Sequence, residues 1–317
     1  MGFQWIRRAL FGLASASLLL LGACGSGTIE SQLKPTRVIA FGDAFSDAGQ
    51  TGAKYMVNDG SLTWGQIVAF NYGIDLKPAA QGGLAYAVGN ARVLLTPDAA
   101  GNSATPTIKQ QIDTFLSTHS TLNENDLVMI GGGFSDIIAE SAAVRSGAQT
   151  TNQMLANLQK AGQDLAAQAK RLRAAGATHI VVTGVYDLGR TPWAGGVNQR
   201  SLLTSASSAF NDALLVALVQ EGANMLYVDQ ALLFNLMFNS PASYSFSNVV
   251  DPICTSVDAG PGIGIGTGQL NSALCTTATL VPGVAIGSYL FSDAVYPTPA
   301  GHARFGDYAF SRVTSRW

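Results

Sequence analysis

The chain has 317 residues, of which 47% are hydrophobic and 12% charged, with a formal net charge of −2. That balance can bury a sizeable core and excludes a disordered chain. No basic surplus is available for nucleic acid, which argues against that class of partner.

The amino terminus carries Arg7-Arg8, then the apolar run Ala9 to Leu21, then Leu21-Gly22-Ala23-Cys24. A run of 13 residues falls short of the roughly 20 that span a bilayer, and the charge-then-apolar order is that of an export signal. Its ending resembles a bacterial lipobox, which implies cleavage before Cys24 and lipidation of the thiol. Several acyl chains, at ~0.8 kcal/mol per buried CH₂, would hold the protein on a membrane without crossing it. We therefore expect residues 1–23 to be a lipoprotein signal peptide, residues 24–35 a lipidated cysteine with a polar tether, and residues 36–317 one globular domain. The expected address is the bacterial cell envelope, with the membrane as a partner through Cys24. Gly25 is not the Asp that resemblance to such lipoproteins associates with inner-membrane retention, so the outer membrane is favoured. Loss of Arg7 and Arg8 with the signal would leave 16 of the 18 basic side chains against 20 acidic ones, or −4.

The pattern of elements then alternates. Val38 to Phe41 reads as a buried strand running through Gly42-Asp43 into a turn and a helix start. Trp64, Ile67, Val68 and Tyr72 fall at helical spacing before Gly73, and Ile108, Ile112, Phe115 and Leu116 form a second apolar stripe, read as core. Asp126 to Ile130 is a strand ending in three glycines. A long helix runs through Leu155, Leu165 and Leu172 to Gly176, and the buried strand His179 to Val185 comes after it. Another helix covers residues 201–221, and Leu226 to Asp229 reads as the last strand. Strand and helix alternating in this way argue a parallel sheet covered on both faces.

Cys254 and Cys275 remain as a pair in an oxidising setting once Cys24 is assigned to lipid. A bridge would contribute about 3 kcal/mol by the chain-entropy estimate, although spacing alone also allows two separate thiols. The glycine-rich run Gly260 to Gly268 between them lacks the spacing of a nucleotide fingerprint and reads as a mobile loop tip.

Five blocks carry a family resemblance. Gly42-Asp43-Ala44-Phe45-Ser46-Asp47-Ala48-Gly49 resembles the Gly-Asp-Ser-Leu/Phe-Ser-Asp-x-Gly block of the GDSL (SGNH) serine esterases and lipases. Gln81 to Arg92 resembles their second block, Gly131 to Asp136 their third, Tyr186 to Pro192 a Pro-x-Leu-Gly-x-Thr-Pro loop, and Phe291 to Thr298 their final Phe-Trp-Asp-x-x-His-Pro-Thr. The resemblance runs from about Arg37 to Tyr308 and implies an α/β fold, a three-layer α/β/α sandwich around a flavodoxin-like parallel sheet. It also implies ester hydrolysis by a serine, a histidine and an aspartate, with no cofactor.

At the positions the family uses for chemistry, this chain differs. Ala44 stands at the nucleophilic serine, Ser135 at the asparagine that donates to the oxyanion, and Tyr296 at the catalytic histidine. Asp293 is the only retained member of the triad, and Gly89 reads either as the turn whose N–H lines the oxyanion hole in the family or as a turn that needs glycine for its positive φ. A phenol with pKa near 10 is a poor substitute for imidazole. Losing nucleophile or base of such a triad costs on the order of 10⁶ in turnover, leaving at best about 10³–10⁴ over water.

Two readings are open. In the first, a pseudoenzyme binds an acyl, glycan or protein partner in the crevice, with Asp43, Ala44, Ser46, Gly89, Ser135 and Tyr296 as candidate lining residues. In the second, a working ester hydrolase has relocated its chemistry to Ser46, Tyr296 or a water held by Asp293. Ser46 reads first as the cap of the helix expected there, and His302, six residues past Tyr296, as a packing residue. Neither a Gly-x-Ser-x-Gly elbow nor a metal-spaced Cys/His cluster occurs.

Overall fold

The sheet begins with β1 (Arg37–Phe41), whose residues from Val38 onward are buried, as expected of a parallel strand covered on both faces. The computed structural model describes residues 31–119 and 121–317. The expected export signal, Cys24 and the first part of the tether lie outside the described residues. Leu33 is already buried, and its N–H donates to the carbonyl of Trp317.

In chain order the elements are β1, α1 (Trp64–Asn71), α2 (Ile108–Thr118), β2 (Asp126–Gly131), α3 (Phe134–Arg145), α4 (Thr151–Ala174), β3 (His179–Thr183), α5 (Arg200–Leu218), β4 (Met225–Tyr227) and α6 (Gln230–Asn239). After them come β5 (Asn248–Pro252), β6 (Val257–Asp258), β7 (Gln269–Leu270), β8 (Tyr289–Phe291) and α7 (Pro299–Arg316). Strands β1 to β4 lie side by side and parallel, with Phe41 opposite Ile130, Val128 opposite Ile180 and Val181 opposite Leu226. Beyond β1, the segment 84–88 adds a further extended edge. Ala40 bridges Ala85, and Ala40 N–H, Tyr86 N–H and Val88 N–H donate to Leu84, Ala40 and Gly42 carbonyls. Counting that edge, the order is 2-1-3-4-5, the flavodoxin-like arrangement, with its switch point between β1 and β2.

Helices cover both faces. Phe41 packs its ring on Phe115 of α2 at 5.6 Å. Met129 is one residue out of phase with Ile130, Phe41's partner, and touches α1, where a Cβ added to Gly65 would lie 3.2 Å from its terminal methyl. Neighbouring strand residues point to opposite faces, so α1 and α2 sit on opposite sides. This is a three-layer α/β/α sandwich. On the α2 side, α4 and α5 approach closely because Gly162 has no side chain: a Cβ there would stand 2.3 Å from the Phe210 carbonyl.

The structure departs from expectation in four places. The first block leads into a single 3₁₀ turn, Ala44–Ser46, and no α-helix starts until Trp64, because Gly49 and Gly52 adopt positive φ and break the run. Helices α3 and α6 are not legible as helical stripes: α3 buries Ser135, Asp136, Glu140 and Ser141 beside its apolar residues, and α6 carries leucines on its exposed side as well as its buried one. The fourth parallel strand is not the last one: β5 pairs with β8 and β6 with β7 in two small sheets, too short and half-exposed to leave a period. The glycine-rich run is packed rather than a free tip, with Ile263 and Ile265 buried in the core and the Gly262 carbonyl accepting from Asn90 Nδ2. Cys254 and Cys275 are joined by a disulfide at its base.

Candidate active site

At the carboxyl end of β1, Asp43 turns its carboxylate back under the chain, accepting from Phe45 N–H at 3.3 Å and from Phe134 N–H at 3.1 Å. One carboxylate thus ties the end of β1 to the first turn of α3. Burial pushes its pKa up to about 7, with the nearby charge of Asp136 adding to the effect. Asp47 performs the same work one turn later. Its Oδ1 accepts from Gly49 and Gln50 N–H at 2.8 Å, and its Oδ2 from Gly89 N–H at 2.8 Å. Burial raises it to about 6.

Between these two carboxylates lie Ala44 and Ser46. Ser46 caps no helix: its Oγ accepts from the indole Nε1 of Trp64 at 3.2 Å. His302 Nδ1 accepts from the backbone N–H of the same tryptophan at 3.4 Å, and its ring stacks on Phe45 at 4.8 Å. Serine and histidine are therefore both held by Trp64 and do not bond to each other. Burial, helped by the charge of Lys54, lowers His302 to about 3 and keeps it neutral.

The second and third blocks are also engaged in framework contacts. Gly89 donates its N–H to Asp47 and so has none free for an oxyanion. Its lack of a side chain answers a close approach, not a left-handed turn: a Cβ would fall 1.9 Å from the Tyr55 hydroxyl, and the left-handed residue is Asn90, at φ 62°. Asp136 accepts from Val93 N–H at 3.0 Å and pairs with Arg92 Nε at 3.3 Å, while Arg92 also reaches Glu140 at 2.7 Å. Ser135 is fully buried, and its Oγ has no hydrogen-bond partner.

In the final block, Asp293 is held by backbone donors. Oδ1 accepts from Val295 and Tyr296 N–H at 2.8 and 2.7 Å, and Oδ2 from Ser272 N–H at 2.9 Å. It staples the disulfide loop to the turn 293–296, and burial raises its pKa. The Tyr296 side chain is buried between Tyr55, at 5.6 Å between rings, and Phe134, at 6.0 Å. Its hydroxyl has no partner. Burial, with the charges of Asp43 and Asp293 behind it, raises this phenol well above its usual value, so it supplies no base.

The topology therefore gathers the expected residues at the ends of β1 and β2, but beneath a cover. Ala44 is 2% exposed, Ser46 7%, and Ser135 and Tyr296 0%. Tyr55 and Trp64 are the residues that sequence reasoning missed. Tyr55 sits in a polar loop with no motif around it, and Trp64 reads only as one member of a helical stripe.

A parallel α/β/α sandwich with motif-bearing turns at its strand carboxyl ends defines a hydrolase-like α/β protein of the flavodoxin topology. The model of the GDSL-like Lipase/Acylhydrolase family matches residues 38–309, and the chain belongs to that family. It is similar, at 26% identity across 97% of the chain and 52% of the relative, to an uncharacterized protein of the trpE-trpG intergenic region of Pseudomonas putida. It is also similar to the esterase EstA of Pseudomonas aeruginosa, at 28% identity over 141 residues, 44% of the chain and 20% of that protein. The chain thus spans about half, or less, of the length of these relatives. A phospholipase A1 of Streptomyces albidoflavus superposes with a TM-score of 0.40 and 15% identity, covering 87% of the chain and 98% of that structure.

Proposed function

We propose that this chain is a GDSL-family protein that has given up ester hydrolysis, an exported lipoprotein anchored through Cys24, on the outer membrane, that binds rather than cuts. The observation that carries the reading is the joint state of Ala44, Ser135, Tyr296 and Tyr55. Ala44 offers a methyl group where a nucleophile is needed, Ser135 and Tyr296 hold buried hydroxyls without partners, and Tyr55 covers the Gly89 turn. Among the described residues no imidazole bonds to Asp293, whose carboxylate is taken up by backbone N–H groups. Nucleophilic catalysis needs a hydroxyl within hydrogen-bond reach of a base. Ser46 and His302, the pair left for relocated chemistry, are each bound to Trp64 instead.

Purified protein assayed with short-chain nitrophenyl esters and a fluorophosphonate probe tests this. The expected result is no turnover above buffer and no covalent label. Turnover together with a labelled serine overturns the proposal, and mapping the label to Ser46 would identify the relocated nucleophile.

A further inference from the structure

Beside the sealed centre, on the outer side of the 84–88 edge, a groove of about 470 Å³ runs between the loop after the first block and residues 75–81. Its volume falls within the range of small-molecule sites. The lining decides what can fill it. Ala48 and Pro78 are its only apolar side chains, so it offers no surface for a fatty acyl chain. Gly49, Gly52 and Gly60 leave stretches of bare backbone, and a Cβ added at Gly52 or Gly60 would meet nothing within 4 Å.

The polar groups fall into two sets. Lys54 is half-buried at one wall, with Nζ donating to the Ser61 carbonyl at 2.6 Å. An ammonium has three donors, and no carboxylate among the described residues comes within ion-pair distance of this one. Burial lowers its pKa while Asp59 raises it through space. The opposite rim carries Lys77 paired with Asp75 at 3.3 Å, and Gln81. That rim mixes donors and acceptors, which suits hydroxyl groups that do both.

The loop that presents Lys54 is preformed. Asn58 accepts from Lys54 N–H at 2.8 Å, and its Nδ2, with two N–H donors, lies within hydrogen-bond distance of the carbonyls of Lys54 and Met56 at 3.0 Å and of Ser272 and Cys275 at 3.2 Å. Little ordering is therefore needed on binding, which favours affinity.

We propose that this groove is a binding site for a carboxylate-bearing sugar, its carboxylate on Lys54 and its hydroxyls along Asp75, Lys77 and Gln81. The inference rests on the reading that the fold binds rather than cuts, and it moves the ligand from the closed crevice to the groove beside it.

The test is calorimetric or ligand-observed NMR titration of the full chain with methyl β-D-glucuronide, methyl β-D-glucoside and inorganic phosphate. The glucuronide should bind, the glucoside at least about tenfold more weakly, as expected for loss of a charge-assisted hydrogen bond, and phosphate at least about tenfold more weakly because it lacks the ring hydroxyls that would meet the second rim. Binding should weaken with added salt. Lys54→Met should lose at least about tenfold in affinity. Lys77→Glu, at a side chain 57% exposed and so safe for folding, should also weaken the glucuronide. No glucuronide binding, equal binding of glucoside or phosphate, or wild-type affinity in Lys77→Glu overturns the proposal. Esterase assays on the same preparation keep the two readings apart. A labelled serine would overturn the loss of hydrolysis and leave the groove standing, whereas absent sugar binding without turnover would remove the groove alone.

Discussion

Asp43 to Ser46 and Lys54 to Ser61 belong to one loop region, yet they have opposite characters. In the first stretch every polar side chain is buried and hydrogen-bonded within the chain: Asp43 by Phe45 and Phe134, Ser46 by Trp64. In the second, Lys54 keeps donors free and faces an open groove. The comparison teaches that retained family residues need not retain family chemistry. Asp47, Asp136 and Asp293 accept from backbone N–H groups here, and Arg92 pairs with Asp136 and Glu140. A carboxylate that satisfies several backbone N–H groups stabilises a turn whether or not a histidine stands beside it.

The largest effect should come from breaking a fastener at the sealed centre. Arg92 is 10% exposed and bridges Asp136, at 2% exposure, and Glu140. Arg92→Leu leaves a buried carboxylate without its partner, which costs about 3–5 kcal/mol. Asp136 already has a pKa raised by burial, so it would take up a proton rather than stay charged, which caps the loss. Urea unfolding measures this directly. Sugar-acid binding by the protein that remains folded should be unchanged. A loss below about 1 kcal/mol, the range of exposed pairs, would mean that the centre is less closed to water than its burial implies.

A smaller effect is set by pH. Asp43 and Asp47 have folded pKa values of about 7 and about 6, above the unfolded carboxyl range. Their contribution to stability is complete below about pH 4 and is lost as pH rises through those values. Asp136 and Asp293 are shifted in the same direction. His302, at about 3, works the other way: its contribution is present above about pH 6.5 and is lost as pH falls toward 3. The half-buried acids Asp113 and Glu221, held low by lysine and arginine neighbours, lose theirs only below about pH 4. His179 is lowered by burial too and works in the same direction as His302, but the four raised carboxyls outnumber the two histidines, so the urea midpoint should be higher at pH 5 than at pH 8. Each uncompensated group changes stability by about 1.4 kcal/mol per pH unit within its window. A midpoint that rises toward pH 8 would place these carboxylates in contact with solvent.

The fold was legible in the chain because its strands are continuous apolar runs closed by glycines. Val38 to Phe41 and His179 to Val185 can only be buried strands, and the motif blocks set the turns at their carboxyl ends. The identities at Ala44, Ser135 and Tyr296 were equally plain, since a substitution at a motif position is read directly. What could not be read was occupancy of space. Tyr55 matters because its ring meets the bare backbone of Gly89, a contact between residues 34 apart with no period or motif linking them. Trp64 holds Ser46 and His302 from a helix face that periodicity assigns simply to the core. The burial of Ile263 and Ile265 was hidden for a related reason: glycine on either side signals a loop, and says nothing about whether the loop packs.

The smallest effect probes whether the centre is idle. Tyr296 and Ser135 each bury a hydroxyl with no hydrogen-bond partner, and such a group costs its full desolvation without return. Removing it while keeping the ring or the Cβ should therefore be neutral or favourable. Tyr296→Phe and Ser135→Ala should each change stability by less than about 1 kcal/mol, on the stabilising side. Urea titration at one fixed pH, below the window of Asp43, separates this from the carboxyl effects. A loss of about 1–3 kcal/mol in either variant would mean that the hydroxyl donates to a buried water or a ligand, and the sealed centre would then be a second site rather than a closed one. Equal neutrality in both variants, with glucuronide affinity unchanged, would leave the groove at Lys54 as the part of this fold that meets a ligand.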